Sequence, residues 1–223
     1  MILSRTLPST GAAVALAAAL GWGLASLGTA APFAAAAQEA ETQDGTENAV
    51  VVEEMRLGDP DAEVTVIEYA SFTCPHCATF HDTVFDDLKE NYIDTGEINF
   101  VHREVFFDRF GLWAAMVARC GGEERYFGIA EMLYDQQSEW VQGDQTQIAT
   151  NLRRIGRTAG LSEDQLESCL TDTAMAEALV ENYTSNAEAD EITATPSFVI
   201  DGTTYGNMSY EEFAEILDEQ LAE

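Results

Sequence analysis

Basic residues are scarce in this sequence. Its 223 residues include 10 lysines and arginines against 40 aspartates and glutamates, a formal net charge of −30, and Lys89 is the one lysine. A surface of that sign repels nucleic acid and anionic membranes, so neither is expected as a partner. The acids are spread along the chain, which favours a role in solubility, as in salt-adapted proteins, over attraction of basic clients.

Metal-ligating side chains are also few, with four cysteines and three histidines. Residues 74–77 form a Cys-Pro-His-Cys motif, whereas Cys120 and Cys169 stand alone, and His81 and His102 form no recognisable second half-site. Structural zinc takes four ligands at suitable spacing. The sequence therefore argues against zinc at the cysteine motif, and no metal or organic cofactor is expected.

The apolar stretch near the N-terminus is short for a membrane span. Gly11–Leu27 is rich in alanine, Arg5 precedes it, and Ala35–Ala37 and Thr29–Ala31 are two possible A-x-A cleavage sites. These features predict a signal peptide over residues 1–37 rather than an uncleaved anchor, which needs about 20 strongly apolar residues. We therefore expect export to the periplasm, where disulfides persist. The alternative is a protein anchored in the membrane and facing the periplasm.

The remaining chain divides into a linker and one domain. Residues 38–57 are acidic and lack periodic patterning, which predicts a flexible linker. Residues 58–223 then form a single domain. The domain opens with a β-α-β unit, in which strand, helix and strand are predicted over Glu63–Ala70, residues 74–91 and Ile98–Val101.

The second part of the domain begins with a long helical block. Residues from about 108 to 186 have helical spacing in several segments, with a capping box at Ser162. A β-hairpin follows, with strands at Ser197–Ile200 and Thr203–Tyr205, and Ser209 caps a last amphipathic helix. This order predicts an α/β fold of the thioredoxin type with an inserted helical subdomain.

The Cys-Pro-His-Cys motif lies where the first strand meets the first helix. With Cys74 at the N-cap and Pro75 in the first turn, the Cys74 sulfur faces unpaired backbone N–H groups and the positive end of the helix dipole. Both favour the thiolate, so Cys74 is the candidate nucleophile. Cys77 lies on the same helix face and can close a disulfide with it. His76 adds stabilisation of the thiolate, which favours donating disulfides over reducing them.

The segments GDPDAEVTVIEYASFTCPHC and, much later, ATPSFVIDG resemble the DsbA-like thiol:disulfide interchange proteins of bacteria. The resemblance runs from about Gly58 to the C-terminus. It implies that Pro196 is a cis-proline packed against the cysteine pair and that the Thr195 backbone binds extended client segments. It also implies that Glu68 is the buried acid below the pair, with a raised pKa that suits it to take the proton from Cys77.

The second cysteine pair lies in the helical block. An even cysteine number in an exported protein suggests pairing, and similar pairs occur in some relatives, so we expect a structural disulfide between Cys120 and Cys169. Two separate buried thiols, or a regulatory disulfide, are the alternatives.

The expected function is that of an exported protein thiol-disulfide oxidoreductase that donates its disulfide to cysteine-containing exported clients. A separate redox partner then resets the pair, and we expect a monomer without stable membrane insertion after leader cleavage. Thr195 leaves a reductase or isomerase open, because relatives with valine there are the strongest oxidants. A chaperone or peptide-binding module that keeps the fold without redox turnover is the alternative from another class.

Overall fold

The computed structural model describes residues 50–222, and a five-stranded sheet lies at the centre of this part of the chain. The strands are β1 (Met55–Gly58), β2 (Val64–Ala70), β3 (Ile98–Glu104), β4 (Ser197–Ile200) and β5 (Thr203–Tyr205). Their spatial order is β1-β3-β2-β4-β5, with β2 and β3 parallel and the other neighbours antiparallel.

A continuous helix, α1, covers residues 75–93 and joins β2 to β3. It alternates between α-helical and π-helical segments, in the order Pro75–Phe80, His81–Phe85, Asp86–Leu88 and Lys89–Ile93. Insertions of the π type are rare and often mark functional positions. The first of them begins at His81, one turn after the cysteine motif.

Six helices fill the segment between β3 and β4. They are α2 (Arg109–Cys120), α3 (Glu123–Asp135), α4 (Gln137–Trp140), α5 (Gln145–Thr158), α6 (Glu163–Leu170) and α7 (Thr173–Ala189), and α8 (Tyr210–Gln220) follows the hairpin. The predicted capping at Ser162 and Ser209 is confirmed, since each forms a capping box. The predicted α/β architecture with a helical insertion is confirmed as well.

Three apolar clusters hold these layers together in residues 50–222, and the two larger ones position the cysteine motif. One lies between the sheet, α1 and α8 and includes Phe80, Phe198 and Phe213. The other lies within the helical insertion around Trp140, and it extends to Cys74 and Cys77. The cysteine motif is therefore packed where the insertion meets the thioredoxin-type sheet.

The predicted acidic linker, 38–57, is wrong at its C-terminal end. Residues Met55 to Leu57 belong to β1, which pairs with β3, and the Met55 side chain is buried. Backbone pairing along the sheet edge orders this segment although its sequence has little periodicity. The predicted signal peptide and linker residues 38–49 lie outside the described residues. Within residues 50–222, no helix has both the length and the apolar character needed to cross a membrane.

Candidate active site

The cysteine motif begins α1 directly after a short loop from β2. Cys74 is the N-cap residue with extended backbone angles, and Pro75 occupies the first turn. The backbone N–H of Cys74 donates to the Ser71 carbonyl at 3.0 Å. The Gln137 amide donates to the Phe72 and Cys74 carbonyls, each at 2.9 Å. The helical insertion therefore fixes the loop that presents the first cysteine.

The two cysteines are free thiols with opposite acidities. A hydrogen bond from the Cys77 thiol, aided by bonds from Thr195 and the backbone N–H groups of Cys77 and His76, outweighs burial and lowers the pKa of Cys74 to about 5. The same bond, burial and the charge of Glu68 raise the pKa of Cys77 far above its ordinary value. Cys74 is thus a thiolate at neutral pH, and Cys77 is a buried thiol.

Thr195 and Pro196 lie opposite the cysteine pair, and their peptide bond is cis. The Cys74 sulfur is 3.5 Å from the Thr195 carbonyl oxygen, to which the thiol form donates. The thiolate form cannot donate. The buried Thr195 hydroxyl has no hydrogen-bond partner in residues 50–222, so it is free to turn its proton toward the thiolate. Bonding by that hydroxyl is the contribution of Thr195 to the lowered pKa of Cys74.

His76 contributes to the site through its backbone. His76 is exposed, and its backbone N–H, by a hydrogen bond to the sulfur, lowers the pKa of Cys74. The sequence-based role for the His76 imidazole stays a prediction.

The lowered pKa of Cys74 predicts a shifted pH profile of thiol reactivity. Alkylation of the reduced protein by iodoacetamide should rise with a midpoint near pH 5 and be level above about pH 7. Because the folded pKa lies below the ordinary value of 9.0, the thiolate stabilises the folded reduced protein fully above pH 9, and this stabilisation is lost as the pH falls through about 5. A rate that still rises between pH 7 and 9 would contradict the assignment.

Glu68 is fully buried in β2, but its environment differs from the one predicted. Burial raises its pKa, and the charge of His81 and a hydrogen bond from it, with a smaller effect of His102, outweigh burial and leave the pKa below its ordinary value. His81 Nε2 lies 3.2 Å and 3.1 Å from the two carboxylate oxygens. The expected raised pKa is therefore wrong, because an ion pair compensates for desolvation.

A hydrogen-bonded network extends from this ion pair into the helical insertion. His102, opposite Glu68 on β3, places Nδ1 2.8 Å from the Tyr126 hydroxyl and Nε2 3.1 Å from the Tyr134 hydroxyl. Tyr126 donates onward to Glu104 at 2.8 Å. These groups lie below the cysteine pair and are almost completely buried.

Sequence reasoning missed the importance of His81, His102 and Gln137. No role for His81 was predicted from the sequence, yet its side chain is 8% exposed and pairs with Glu68. A usable signal was its position one turn after Cys77, on the same face of the helix. For Gln137 there was no comparable signal, because its partners are backbone carbonyls 63 and 65 residues away.

The second cysteine pair is joined in the structure. Cys120, at the end of α2, and Cys169, in α6, form a disulfide with a Cα–Cα distance of 5.8 Å. The bridge ties two helices of the insertion to each other. It takes no part in the Cys74 site.

A parallel β-α-β core whose Cys-X-X-Cys motif begins the helix, opposite a cis-proline, defines a thioredoxin-fold protein. A family model described as thioredoxin matches residues 50–219. The crystal structure of Wolbachia pipientis alpha-DsbA1 superposes with a TM-score of 0.71 at 30% identity, covering 78% of this chain and 93% of that one. The chain therefore belongs to the thioredoxin family and, within it, to the DsbA-like proteins.

Two curated relatives extend the comparison. A Rickettsia bellii protein, whose name places it among the protein-disulfide oxidoreductases, is 34% identical over 172 residues, or 76% of this chain. The match spans 65% of that relative's length. Disulfide bond formation protein D of Bacillus subtilis is 27% identical over 189 residues, which is 74% of this chain and 76% of the relative.

Proposed function

We propose that this protein is a thiol-disulfide oxidoreductase that donates the Cys74–Cys77 disulfide to cysteine-containing client proteins. The observation that carries the proposal is the stabilised thiolate of Cys74, whose pKa falls to about 5. Stabilising the reduced pair makes the oxidised pair a stronger oxidant. The names of the Rickettsia and Bacillus relatives support the same chemistry.

The reaction is two successive thiol-disulfide exchanges. A client thiolate attacks the Cys74 sulfur, a mixed disulfide forms, and the Cys74–Cys77 bond breaks with its electron pair left on Cys77, which takes up a proton. A second client thiolate attacks the client sulfur of the mixed disulfide, and Cys74 leaves as a thiolate. The client loses two electrons, and a separate redox partner later removes them from the reduced pair.

The surrounding residues support distinct steps of this exchange. The Thr195 backbone, beside the cis Pro196, binds an extended client segment by strand addition. Pro75 starts the helix whose N–H groups face Cys74. Glu68, held as a carboxylate, accepts the Cys77 proton when that thiol attacks the bond between Cys74 and the redox partner.

Export is the second part of the proposal. The leader over residues 1–37 and the disulfide between Cys120 and Cys169 both suit a periplasmic protein, because disulfides persist outside the cytosol. Its clients are then newly exported proteins that contain reduced cysteines.

The reduction potential of the Cys74–Cys77 pair tests the direction of transfer. We expect equilibration with glutathione to give a value above about −180 mV, more oxidising than glutathione pools at roughly −180 to −260 mV, because the Cys74 thiolate stabilises the reduced form. A value near about −270 mV, that of thioredoxin, would overturn donation and indicate a reductase.

A matched variant at Thr195 tests the cause of that reduction potential without disturbing the fold. Replacing Thr195 by valine removes a hydroxyl whose bond to Cys74 would lower the pKa of that thiol, and it preserves side-chain shape. If that hydrogen bond stabilises the reduced form, the Cys74 pKa should rise and the pair should become less oxidising. A pair that becomes more oxidising, as in relatives with valine at this position, would mean that the Thr195 hydroxyl does not stabilise the thiolate. An unchanged pKa in the folded variant would mean that the hydroxyl does not bond to the thiolate.

A further inference from the structure

The Glu68 carboxylate can accept more hydrogen bonds than its neighbours in the described residues donate to it. It is fully buried, and within the described residues its one hydrogen-bond donor is His81 Nε2, at 3.2 Å and 3.1 Å from the two oxygens. An ionised carboxylate has about four acceptor positions, and a buried charge is costly unless it is paired. Acceptor capacity for a cation therefore remains at this carboxylate.

His102 turns an unprotonated nitrogen toward the same carboxylate. Arg119 donates to both oxygens of Glu104, Glu104 also accepts from the Tyr126 hydroxyl, and the Tyr126 oxygen therefore accepts from His102 Nδ1–H. His102 Nε2 therefore carries a lone pair, and this atom lies 3.9 Å from Glu68 Oε2.

A route from solvent reaches both histidines. His81 stacks on Tyr134 with the ring centroids 4.1 Å apart, and its side chain is 8% exposed. A cavity of about 330 Å³ is lined by His81 and His102, with Phe85, Lys89 and Glu131 among its other walls. The cavity therefore gives ions and water an approach to the two imidazoles.

We propose that Glu68, His81 and His102 form a zinc-binding site beside the redox pair. One ligand atom from each lies within 4.8 Å of the others. Zinc bound at about 2.0–2.2 Å spaces tetrahedral ligands roughly 3.3–3.6 Å apart. Glu68 and His81, at 3.1–3.2 Å, are already close to that spacing. His102 Nε2 lies 3.9 Å from Glu68 Oε2 and within 4.8 Å of the other ligand atoms, so it has to approach by up to about 1.5 Å while the Tyr134 hydroxyl turns its proton away from it.

The donor set and its surroundings favour zinc over other cations. Two imidazoles and one carboxylate suit zinc, whereas calcium and magnesium take oxygen ligands. The His102–Tyr126–Glu104 chain provides the outer hydrogen bonds that fix the tautomer of a zinc-binding histidine. Zinc replaces the proton on His81 Nε2, and cavity water can fill a fourth position.

The test is a titration of the purified full chain with Zn²⁺ alone, in competition with a chromogenic chelator. The Cys74–Cys77 pair is kept oxidised, so that neither thiol can bind the metal. We expect one equivalent to bind, and Co²⁺ in its place should give a tetrahedral visible spectrum without a thiolate charge-transfer band. His81→Gln and Glu68→Gln should each weaken binding at least about tenfold.

The control is Glu131→Gln, which removes an exposed acid from the wall of the same cavity and should leave the affinity unchanged. Equal affinity in all variants would assign the metal to the acidic surface and overturn the proposal. The failure of the oxidised wild-type protein to bind one equivalent would also overturn it, whether or not the variants fold. Binding that needs reduction would assign the metal to the thiols instead.

Discussion

Replacing Cys77 by serine is expected to stop turnover and to trap the protein in mixed disulfides with its clients. Cys74 keeps a sulfur that faces the N-terminal N–H groups of α1, so its thiolate still attacks the disulfide of an oxidised client, forming a mixed disulfide while the other client sulfur leaves as a thiolate. The protein's own thiol that could release such an adduct, Cys77, is gone. Because Cys77 is completely buried next to Cys74, no other protein thiol in the described residues can replace it.

The experiment compares Cys77→Ser with Cys74→Ser after incubation with a disulfide-bonded peptide. Non-reducing electrophoresis should show a reducible adduct for Cys77→Ser and none for Cys74→Ser. Oxidative refolding of a reduced model protein should fall to the uncatalysed rate with both variants, a complete loss of turnover. Adducts of Cys74→Ser with the peptide would instead make Cys77 the attacking cysteine and reverse the roles assigned by their pKa values.

The double variant Cys120→Ser/Cys169→Ser is the matched control for replacing cysteine by serine outside the redox pair. Those two cysteines are joined to each other in the helical insertion and lie outside the redox pair. Turnover per folded molecule should therefore persist in the control. Loss of turnover in a folded control would mean that the second disulfide takes part in the exchange pathway.

The sequence predicted the parts of the site that depend on neighbouring residues. Cys74 and Pro75 occupy their positions because a proline in the first turn and a following helix are local features. The pairing of His81 with Glu68 was harder to predict from the sequence, because it depends on how α1 packs over β2. Burial alone would raise the pKa of Glu68, but the charge of His81 and its hydrogen bond lower it.

Two elements of the fold were missed or only partly predicted, for related reasons. β1 has four residues, and Met55 is the one buried residue among them. The sequence of this strand therefore resembles the acidic segment before it. α7 is long, but Leu179 is its one buried residue, so it lacks a clear apolar face. Edge pairing and helix packing fix these elements through distant partners, which a single sequence does not display.

Replacing Arg119 by methionine is expected to destabilise the protein by about 3–5 kcal/mol. Arg119 donates to both oxygens of Glu104, at 2.7 Å and 2.6 Å, and to the Glu53 carbonyl at 2.8 Å. The Arg119 and Glu104 side chains are only 9% and 4% exposed. Methionine keeps most of the aliphatic stem, so the loss reports mainly the buried carboxylate left without its counter-charge.

The matched control is Arg157→Met, which breaks the ion pair of Arg157 with Glu163. That pair has a similar distance of 2.9 Å, but its side chains are 47% and 59% exposed. Solvent screens such a pair, and its loss should cost at most about 1 kcal/mol. Urea unfolding with the Cys120–Cys169 disulfide intact measures both variants on the same scale.

Adding Glu104→Gln to Arg119→Met tests the cause of the loss. The amide oxygen of glutamine can still accept from the Tyr126 hydroxyl, while the unpaired buried charge is removed. The double variant should therefore recover part of the lost stability, which a double-mutant cycle would record as strong coupling between the two positions. An Arg119→Met variant as stable as the Arg157→Met control would show that water or a rearranged donor neutralises Glu104.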